Sequence, residues 1–411
     1  MDDGFKDTEI GSIPDDWDIK PFEECINKEK ISKDIKIPQG QYKPTGKYPI
    51  VDQGAEFIAG YTDDKDKLYS GNLPVIVFGD HTRIFKFVDF SFTLGADGTK
   101  LILSKNFLNP RYLYFYLCGL NIESRGYNRH YKYLKEKTVV FPSDGAEQQN
   151  IVVILSEIQK AIAQQEQIIA KTKELKRSLM HRLFTHGLRG EELKETEIGR
   201  MPTSWNAKRL GDVVEKTYQK DMTRAPNVQF KYIDVSSVSN ESLKITEYKT
   251  YKGSEAPSRA RKIVKVDDVL FATVRPTLRR IAFVGNEYDE EICSTAFCVL
   301  RSKAELTSRY LYFCVQRDEF VENLGKLQRG VSYPAVTDGN VKDQLIPFPE
   351  DISEQDEIAD ILWHINEKIE HELYKQESLK ELFKTMLQLL MTGQVRVKDI
   401  DFGEIYPVRE A

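Results

Sequence analysis

The chain has 411 residues, of which 30% are charged and 40% are hydrophobic. This length predicts two to four domains, and no apolar run reaches the ~20 residues that a membrane-spanning helix needs. The polar, acidic N-terminus predicts no secretory signal, so we expect a cytoplasmic protein. The net charge of −5 argues against a uniformly basic nucleic-acid-binding surface but is compatible with a local basic patch.

The cysteines are few and scattered. No two of them are spaced as CxxC, so the sequence predicts neither a disulfide framework nor a metal site. We interpret them as small buried hydrophobic side chains. They are Cys25, Cys118, Cys293, Cys298 and Cys314.

An internal repeat organises the chain. The sequence TEIGSIPDDW at Thr8 recurs as TEIGRMPTSW at Thr196, and RYLYF at Arg111 recurs at Arg309. Because the matches keep their order, the chain contains two copies of one unit.

Each copy is predicted to contain a mixed α/β domain followed by a long helix. Strand-like runs lie at residues 73–78 and 269–274, and Asn109 followed by Pro110 is typical of a helix start. The predicted segments are a first domain at 1–145, a first spacer helix at 146–190, a second domain at 191–350, a second spacer helix at 351–395 and a C-terminal tail at 396–411.

The two spacer helices carry an apolar stripe. Apolar residues recur alternately four and three positions apart, which is typical of a coiled-coil seam. Four further residues widen the stripe of the first helix, namely Ile154, Ala161, Ile168 and Leu175. Gly187 and Gly393 are predicted to end the helices. Because such a stripe must be covered, we expect the helices to pair as an antiparallel coiled coil. The predicted seam consists of Ile151, Leu155, Ile158, Ile162, Ile169, Leu179, Ile358, Leu362, Ile365, Ile369, Leu379 and Met386.

The sequence lacks catalytic motifs. It contains neither a GxxxxGK[ST] nor a GxGxxG loop, and its six histidines form no HExxH pair. Asn109-Pro110 lacks the second proline of the loop with which DNA amino-methyltransferases hold a flipped base. Asp401-Phe402-Gly403 has none of the companion kinase motifs. We therefore predict a non-catalytic chain that binds no cofactor or metal of its own.

Basic and aromatic residues cluster at corresponding places in the two copies, as Arg125-Gly126 and Arg329-Gly330 illustrate. Arginine, lysine and asparagine can contact phosphates and base edges, although a solvated charged face is the alternative for any single cluster. The predicted DNA-contacting residues are His81, Arg83, Arg125, Tyr127, Asn128, Arg129 and Lys132 in the first copy, and Arg259, Arg261, Lys262, Arg275, Arg279, Arg280, Gln328, Arg329, Ser332 and Tyr333 in the second.

The repeated TEIGxxPxxW motif, together with the Phe-Pro-x4-Glu-Gln helix starts at Phe141 and Phe348, resembles the specificity subunit of type I restriction-modification systems. The resemblance covers essentially the whole chain. It implies an α+β fold in which two mixed α/β target-recognition domains are separated by two long helices that form an antiparallel coiled coil, with an internal pseudo-twofold duplication. It also implies a non-catalytic subunit that binds a bipartite, asymmetric target in double-stranded DNA.

The same resemblance implies partners. These are a pair of methyltransferase (modification) subunits, which would bring S-adenosylmethionine, and restriction/motor subunits, which would bring ATP and Mg. The second copy lacks the tyrosine-rich run from Tyr127 to Tyr133, so the two domains are expected to read different bases. Two functions of other classes are alternatives: a stand-alone DNA modification or restriction enzyme, and a coiled-coil scaffold without a DNA role.

Overall fold

The computed structural model describes residues 4–9, 11–27, 35–95, 98–123, 129–330 and 333–400. Four predicted DNA-contacting residues lie outside the described residues, namely Arg125, Tyr127, Asn128 and Ser332. The chain divides into two compact units, which are unit 1 (residues 1–165 and 376–411) and unit 2 (residues 166–375). This division cuts both long helices, whereas the boundaries predicted from the sequence follow chain order.

Unit 1 is built from short strands and helices around two cores. Its strands are β1 Phe5–Thr8, β2 Gly11–Pro14, β3 Trp17–Pro21, β4 Ile26–Asn27, β5 Lys36–Ile37, β6 Tyr48–Val51, β7 Gly60–Thr62, β8 Val75–Gly79, β9 Phe85–Val88, β10 Thr93–Gly95, β11 Thr99–Ser104 and β12 Thr138–Pro142. Its helices are α1 Phe22–Cys25, α2 Pro110–Gly119, α3 Tyr131–Lys135 and the first part of α4 Gly145–His186. The larger sheets have the orders β5-β10-β6-β7 and β4-β11-β8-β9, while β1 pairs with β2 and β3 pairs with β12.

Unit 2 repeats this plan with different strand lengths. Its strands are β13 Leu193–Thr196, β14 Gly199–Pro202, β15 Asn206–Arg209, β16 Gln229–Ile233, β17 Lys249–Lys252, β18 Ala260–Ile263, β19 Val269–Ala272, β20 Ile281–Phe283, β21 Ile292–Ser294, β22 Phe297–Leu300 and β23 Leu345–Phe348. Its helices are α5 Leu210–Val213, α6 Ser308–Cys314, α7 Asp318–Leu327, α8 Asp338–Lys342 and the first part of α9 Ile352–Met391. The larger sheets have the orders β17-β16-β21-β18 and β20-β19-β22, while β13 pairs with β14 and β15 with β23.

The helix start predicted at Asn109 is confirmed. The Asn109 Oδ1 atom accepts hydrogen bonds from the backbone N–H groups of Arg111 (2.9 Å) and Tyr112 (3.2 Å), as an N-terminal cap does. The fully buried Tyr112 then donates its hydroxyl proton to the carbonyl oxygen of Val140, at 3.0 Å. This bond ties α2 to β12, the strand that leads into the first long helix.

A tryptophan–glutamate bond fixes the start of each long helix. In unit 1 the indole Nε1 of Trp17 donates to Glu147 at 3.2 Å, and in unit 2 Trp205 donates to Glu354 at 3.1 Å. Both pairs are buried, where an unsatisfied indole N–H or carboxylate would be costly. The repeated tryptophans are therefore packing anchors between the TEIG segment and the helix.

The two long helices run antiparallel within each unit. In unit 1, Ile151 and Leu155 of α4 share a core with Leu390 and Met391 near the end of α9. In unit 2, the late α4 residues Leu183 and Phe184 pack with the early α9 residues Ile358 and Leu362. Every residue of the predicted seam is buried or partly buried. In the described part of the chain, no helix combines the length and apolarity needed to cross a bilayer.

The glycine predicted to end each long helix has a left-handed backbone. The φ angles are +61° at Gly187 and +69° at Gly393, a region that other residues adopt at a cost. A Cβ atom on Gly393 would also lie 2.3 Å from the Pro14 ring. Both conformation and space therefore require glycine where α9 turns back onto β2.

Four of the five cysteines are buried, as predicted. Burial raises the pKa of the Cys25 thiol to about 11, so this thiol stays protonated at neutral pH. The prediction was wrong for Cys118, which is exposed because it lies next to the last residue of α2.

Candidate nucleic-acid interface

In unit 2, the loop after β19 is joined to the segment that carries Arg329. Val274 and Arg329 both form antiparallel bridges with Ala335, and the backbone N–H of Arg275 donates to the carbonyl oxygen of Pro334 at 2.7 Å. Two stretches that are about 55 residues apart in sequence therefore present their side chains together.

Exposed basic and aromatic side chains lie on this junction. The Arg275 guanidinium lies 5.2 Å from the centroid of the Tyr333 ring, and Tyr333 is 74% exposed. Arg329 is also exposed. Arg275 has a left-handed backbone with φ of +49°, which costs energy for a residue with a side chain. Such strain at an exposed arginine is typical of a functional position.

Arg259 belongs to the same neighbourhood. The backbone N–H of Thr295 donates to the Arg259 carbonyl at 2.9 Å, and that of Thr273 donates to Ala296 at 2.8 Å. These bonds connect Arg259 through residues 295–296 to the start of the loop that carries Arg275. We name the group formed by Arg259, Arg275, Arg329 and Tyr333 the unit 2 surface.

Two predicted DNA-contacting residues instead hold the unit 2 domain together. Lys262 is 5% exposed, and its ammonium group donates to the Phe297 carbonyl at 2.7 Å and to the Asp338 carboxylate. The Arg280 guanidinium donates to the carbonyl oxygens of Val235 and Val238. Because these donors are already satisfied, we do not retain the two residues as DNA contacts.

Three further predicted residues have partners within unit 2. Arg261 pairs with Asp221 at 2.8 Å. Hydrogen bonds from the Thr223 hydroxyl, which has the larger effect, and from Arg261 lower the pKa of Asp221 to about 2. Arg279 donates to the Gln316 carbonyl at 3.1 Å and pairs with Asp318. The Gln328 amide donates to the carbonyl of Gly325 at 3.0 Å.

In unit 1, a buried aspartate joins the loop after β8 to the residues before α3. Asp80 is 1% exposed, and its Oδ1 atom accepts a hydrogen bond from the Tyr131 N–H at 2.7 Å. Its backbone carbonyl accepts the N–H of His130 at 2.9 Å. The structure therefore brings His81 close to Arg129, two residues that are 48 positions apart in sequence.

The predicted DNA-contacting residues of unit 1 differ in the exposure of their side chains and in their hydrogen bonds. Arg129 and Lys132 are exposed, and the Lys132 ammonium lies 4.7 Å from the centroid of the Tyr133 ring. His81 is partly buried. Arg83 has a left-handed backbone, and its guanidinium donates to the Ile122 carbonyl at 2.7 Å, so one of its nitrogen atoms already has a partner within the protein. We name the group formed by His81, Arg129 and Lys132 the unit 1 surface.

The two surfaces are formed by corresponding elements. Each combines the loop after an inner strand of its sheet, β8 or β19, with the segment before a short helix, α3 or α8. The sequence analysis missed two carboxylates: Asp80, which joins the loop after β8 to the residues before α3, and Asp338, which binds Lys262 of β18 at the start of α8. A signal was available, because Asp80 follows the predicted strand 73–78 after one glycine and Asp338 lies in the Thr337–Asn340 capping box.

The comparisons with known proteins agree with this duplicated plan. The family model described as "Type I restriction modification DNA specificity domain" matches residues 14–174 and 202–381. The MjaX specificity subunit of a type I restriction enzyme from Methanocaldococcus jannaschii is 26% identical over 97% of this chain and 98% of its own length. The MjaVIII specificity subunit of the same organism is 25% identical over 62% of each chain.

A solved structure shows the same fold over most of the chain. The type I restriction-modification S subunit from M. genitalium is 16% identical, covers 91% of this chain and 96% of its own, and has a TM-score of 0.57. The family match includes both copies of the repeat, so the duplication and the family are established together. The chain belongs to the family of type I restriction-modification DNA specificity subunits, with the two recognition domains and the two long helices of that fold.

Proposed function

We propose that this chain binds a bipartite, asymmetric DNA target, with the unit 1 surface contacting one half-site and the unit 2 surface the other. The observation that carries the proposal is that corresponding loops of the two copies present different exposed side chains. Arginine and lysine can both contact guanine and phosphates, but the unit 1 surface adds a histidine whereas the unit 2 surface adds a tyrosine ring beside its arginines. Two different surfaces therefore favour two different half-sites.

The charge distribution supports a confined DNA-binding surface. The chain has a net charge of −5, so exposed cations on most of its surface are offset by carboxylates. In unit 2, by contrast, Arg275 lies beside the Tyr333 ring, and the exposed Arg329 is on the segment that pairs with the residue preceding Arg275. A local basic patch attracts the phosphate backbone even when the whole protein is acidic.

We further propose that this subunit directs other subunits to the site it has bound. Membership of the specificity family supports a pair of methyltransferase subunits and restriction/motor subunits as partners. In this proposal S-adenosylmethionine binds the methyltransferase subunits, and ATP and Mg bind the motor subunits. Cytoplasmic localisation stays a prediction.

Selection of DNA from a randomised pool tests the proposal. The chain, co-expressed with the methyltransferase subunits of its operon, should enrich two dissimilar half-sites separated by a constant gap. Methylome sequencing of the host should report the same bipartite site. Enrichment of one continuous or palindromic site would contradict the proposal. Methyl transfer by the isolated chain would support the enzyme alternative, and a lack of DNA affinity at low salt would support the scaffold.

A further inference from the structure

Unit 2 contains a basic cavity outside the unit 2 surface. Its volume is about 380 Å³, and it lies between the C-terminal part of α4, the β19–β20 loop and the connection from α6 to α7. Cationic side chains outnumber carboxylates in its lining, which contains Lys173, Lys176, Arg177, His181, Arg279 and Arg317 together with Asp318 and Glu319. We name this feature the basic cavity.

Only part of the positive charge in the basic cavity is compensated. Arg279 pairs with Asp318, and Arg317 lies 3.4 Å from Glu319. Lys176 is different, because its ammonium donates to the neutral Gln316 amide at 3.0 Å and lies 5.9 Å from the centroid of the Phe313 ring.

The remaining cations follow one another along one face of α4. Within the residues that the structure describes, Lys173, Lys176 and Arg177 form no ion pair with a carboxylate. Like charges three or four residues apart on a helix repel each other. A partly buried ammonium also loses hydration, and this loss together with the nearby Arg279 lowers the pKa of Lys176 to about 8. An anion in the cavity would relieve both costs.

The corresponding place in unit 1 shows that the fold does not need the charge of Lys176. There α9 presents Phe383, whose ring centroid lies 6.1 Å from that of Phe115, the repeat counterpart of Phe313. Cys118 takes the place of Gln316, in a groove that also includes Leu387 and Met391. A phenylalanine therefore packs where unit 2 has Lys176, and a cysteine stands where unit 2 has Gln316. The charge in unit 2 points to a ligand and not to a packing requirement.

We propose that the basic cavity binds a phosphate group of the DNA backbone next to the half-site that unit 2 reads. This inference rests on the proposed function. A phosphodiester suits the cavity because lysine and arginine are its usual protein partners. DNA is favoured as the source because one loop, residues 273–280, supplies Arg275 to the unit 2 surface and Arg279 to the cavity. A duplex that contacts the surface therefore passes close to the cavity.

The first test removes two exposed charges of α4 in the full chain bound to its methyltransferase subunits. The variant Lys173→Gln/Arg177→Gln should bind target DNA about tenfold more weakly, and the slope of log affinity against log salt should become less steep by about 0.9 for each lost contact. The selected target sequence should not change. The matched control Lys380→Gln/Lys384→Gln alters the same charge at the repeat-equivalent positions of α9 and should leave the slope unchanged. An equal change in both variants, or none in either, would overturn the proposal.

The second test replaces Lys176 and Gln316 of unit 2 with the residue types found at the equivalent positions of unit 1, Phe383 and Cys118. The variant Lys176→Phe/Gln316→Cys should fold, since Phe383 already packs against Phe115 at the equivalent place in unit 1. It should weaken DNA binding without altering the target. Inorganic phosphate should raise the melting temperature of the wild-type complex but not that of this variant. A phosphate effect with unchanged DNA binding would overturn DNA as the source. Loss of methyltransferase assembly with unchanged DNA affinity would instead identify an acidic protein segment as the occupant. A wild-type complex that selects no DNA sequence would reject the proposed function itself.

Discussion

The arginines of the unit 2 domain divide into two groups by what their guanidinium groups contact. Arg280 donates to backbone carbonyls of the 235–238 turn, and Arg261 pairs with Asp221. Arg275 and Arg329, by contrast, are exposed, and the Arg275 guanidinium lies over the Tyr333 ring. Removal of a residue of the first group should lower stability, whereas removal of a residue of the second should change DNA recognition.

Arg329→Ala is therefore predicted to alter recognition without unfolding the domain. A bidentate contact to guanine would make discrimination at one base pair fall by roughly 1–3 kcal/mol, and a phosphate contact would weaken binding equally at all sequences. Competition binding with single-base variants of the selected target distinguishes the two. Arg280→Ala serves as the control and should lower the melting temperature. Unchanged binding by Arg329→Ala would remove this residue from the unit 2 surface.

Two equivalent arginines after the long helices should differ in their contribution to stability. Arg396 donates to Glu147 at 2.7 and 2.8 Å, and Glu147 is 1% exposed. Arg189 contacts the half-exposed Glu357 at 2.9 Å. Arg396→Ala leaves a buried carboxylate without its cation and should reduce the free energy of unfolding by roughly 2–3 kcal/mol. Arg189→Ala should cost less than about 1 kcal/mol. Urea denaturation of both variants measures the difference, and equal losses would contradict it.

Lys176 should also make stability depend on pH. Its folded pKa of about 8 lies below the ordinary lysine value, so between pH 8 and about 10.5 the unfolded chain binds more protons than the folded chain. Stability should therefore rise with pH in this range relative to Lys176→Phe, whereas DNA affinity should fall as the ammonium loses its charge. The charged and titratable groups that face Lys176 are Lys173, Arg177, His181, Arg279, Arg317, Asp318 and Glu319. Parallel melting curves for the two proteins from pH 7 to 10 would contradict this expectation.

At the scale of elements, the seam between α4 and α9 contains polar as well as apolar residues. Gln165 and Thr172 are 2% and 7% exposed although they are polar, because they occupy positions of the four-and-three spacing. Of the four residues that the sequence suggested as a widening of the stripe, Ile154 and Ala161 are partly buried, whereas Ile168 and Leu175 are 41% and 49% exposed. The widening is therefore confined to the first half of α4, whereas residues at the four-and-three spacing are buried or partly buried in both halves. A buried polar residue in a seam restricts the register in which helices pair.

If these helices set the gap between half-sites, their length should determine it. Four residues inserted after Gln165 and four after Lys375, where the two units divide, add about 6 Å and about 40° of rotation. Each DNA base pair adds about 3.4 Å and roughly 34°. The preferred gap should therefore grow by one base pair or two. Selection from a pool with randomised gap lengths measures it, and an unchanged gap would show that the helices do not set the distance.

A seven-residue insertion at the same two positions is the control for helix geometry. It preserves the seam but adds about 10.5 Å with about −20° of rotation. Three base pairs match that rise but rotate the groove by roughly 100°. Binding should therefore weaken at every gap length. Tight binding at any gap would mean that rotation does not matter.

For the whole molecule, the core of unit 1 depends on both ends of the chain. It contains Leu390, Met391 and Val397, although its strands come from the first 142 residues. Leu390 and Met391 correspond in the repeat to Leu183 and Phe184 at the end of α4, which pack into the core of unit 2. One copy of the repeat therefore lacks the helix end that would close its own core.

A fragment of residues 1–189 is accordingly predicted to dimerise. Each copy would supply its Leu183 and Phe184 where Leu390 and Met391 of α9 pack in the intact chain. The dimer should select a palindrome built from one half-site, since both surfaces would be the same. Sedimentation equilibrium measures its mass, and a folded monomer at high concentration would contradict the pairing. Leu183→Asp in the fragment should abolish dimerisation because it places a charge in that core.

The sequence by itself determined the duplication, the two long helices, their seam and the family. These features depend on local patterns: the repeated TEIGxxPxxW motif, the four-and-three spacing, and capping residues such as Asn109. Each of these patterns can be recognised within a short stretch of sequence, because helix periodicity and capping depend on residues that are near neighbours in the chain. The fold class could therefore be predicted before any contact was known.

Only the tertiary structure decided which basic residues are available to DNA. Lys262 and Arg275 look alike in sequence, yet one is buried against Asp338 and the other is exposed beside Tyr333. Lys176 has the spacing of a seam residue, but only the fold reveals that it faces Gln316 in a basic cavity. The physical reason is that a charged side chain acquires its role from partners distant in sequence, and these partners meet only when the strands and loops have packed.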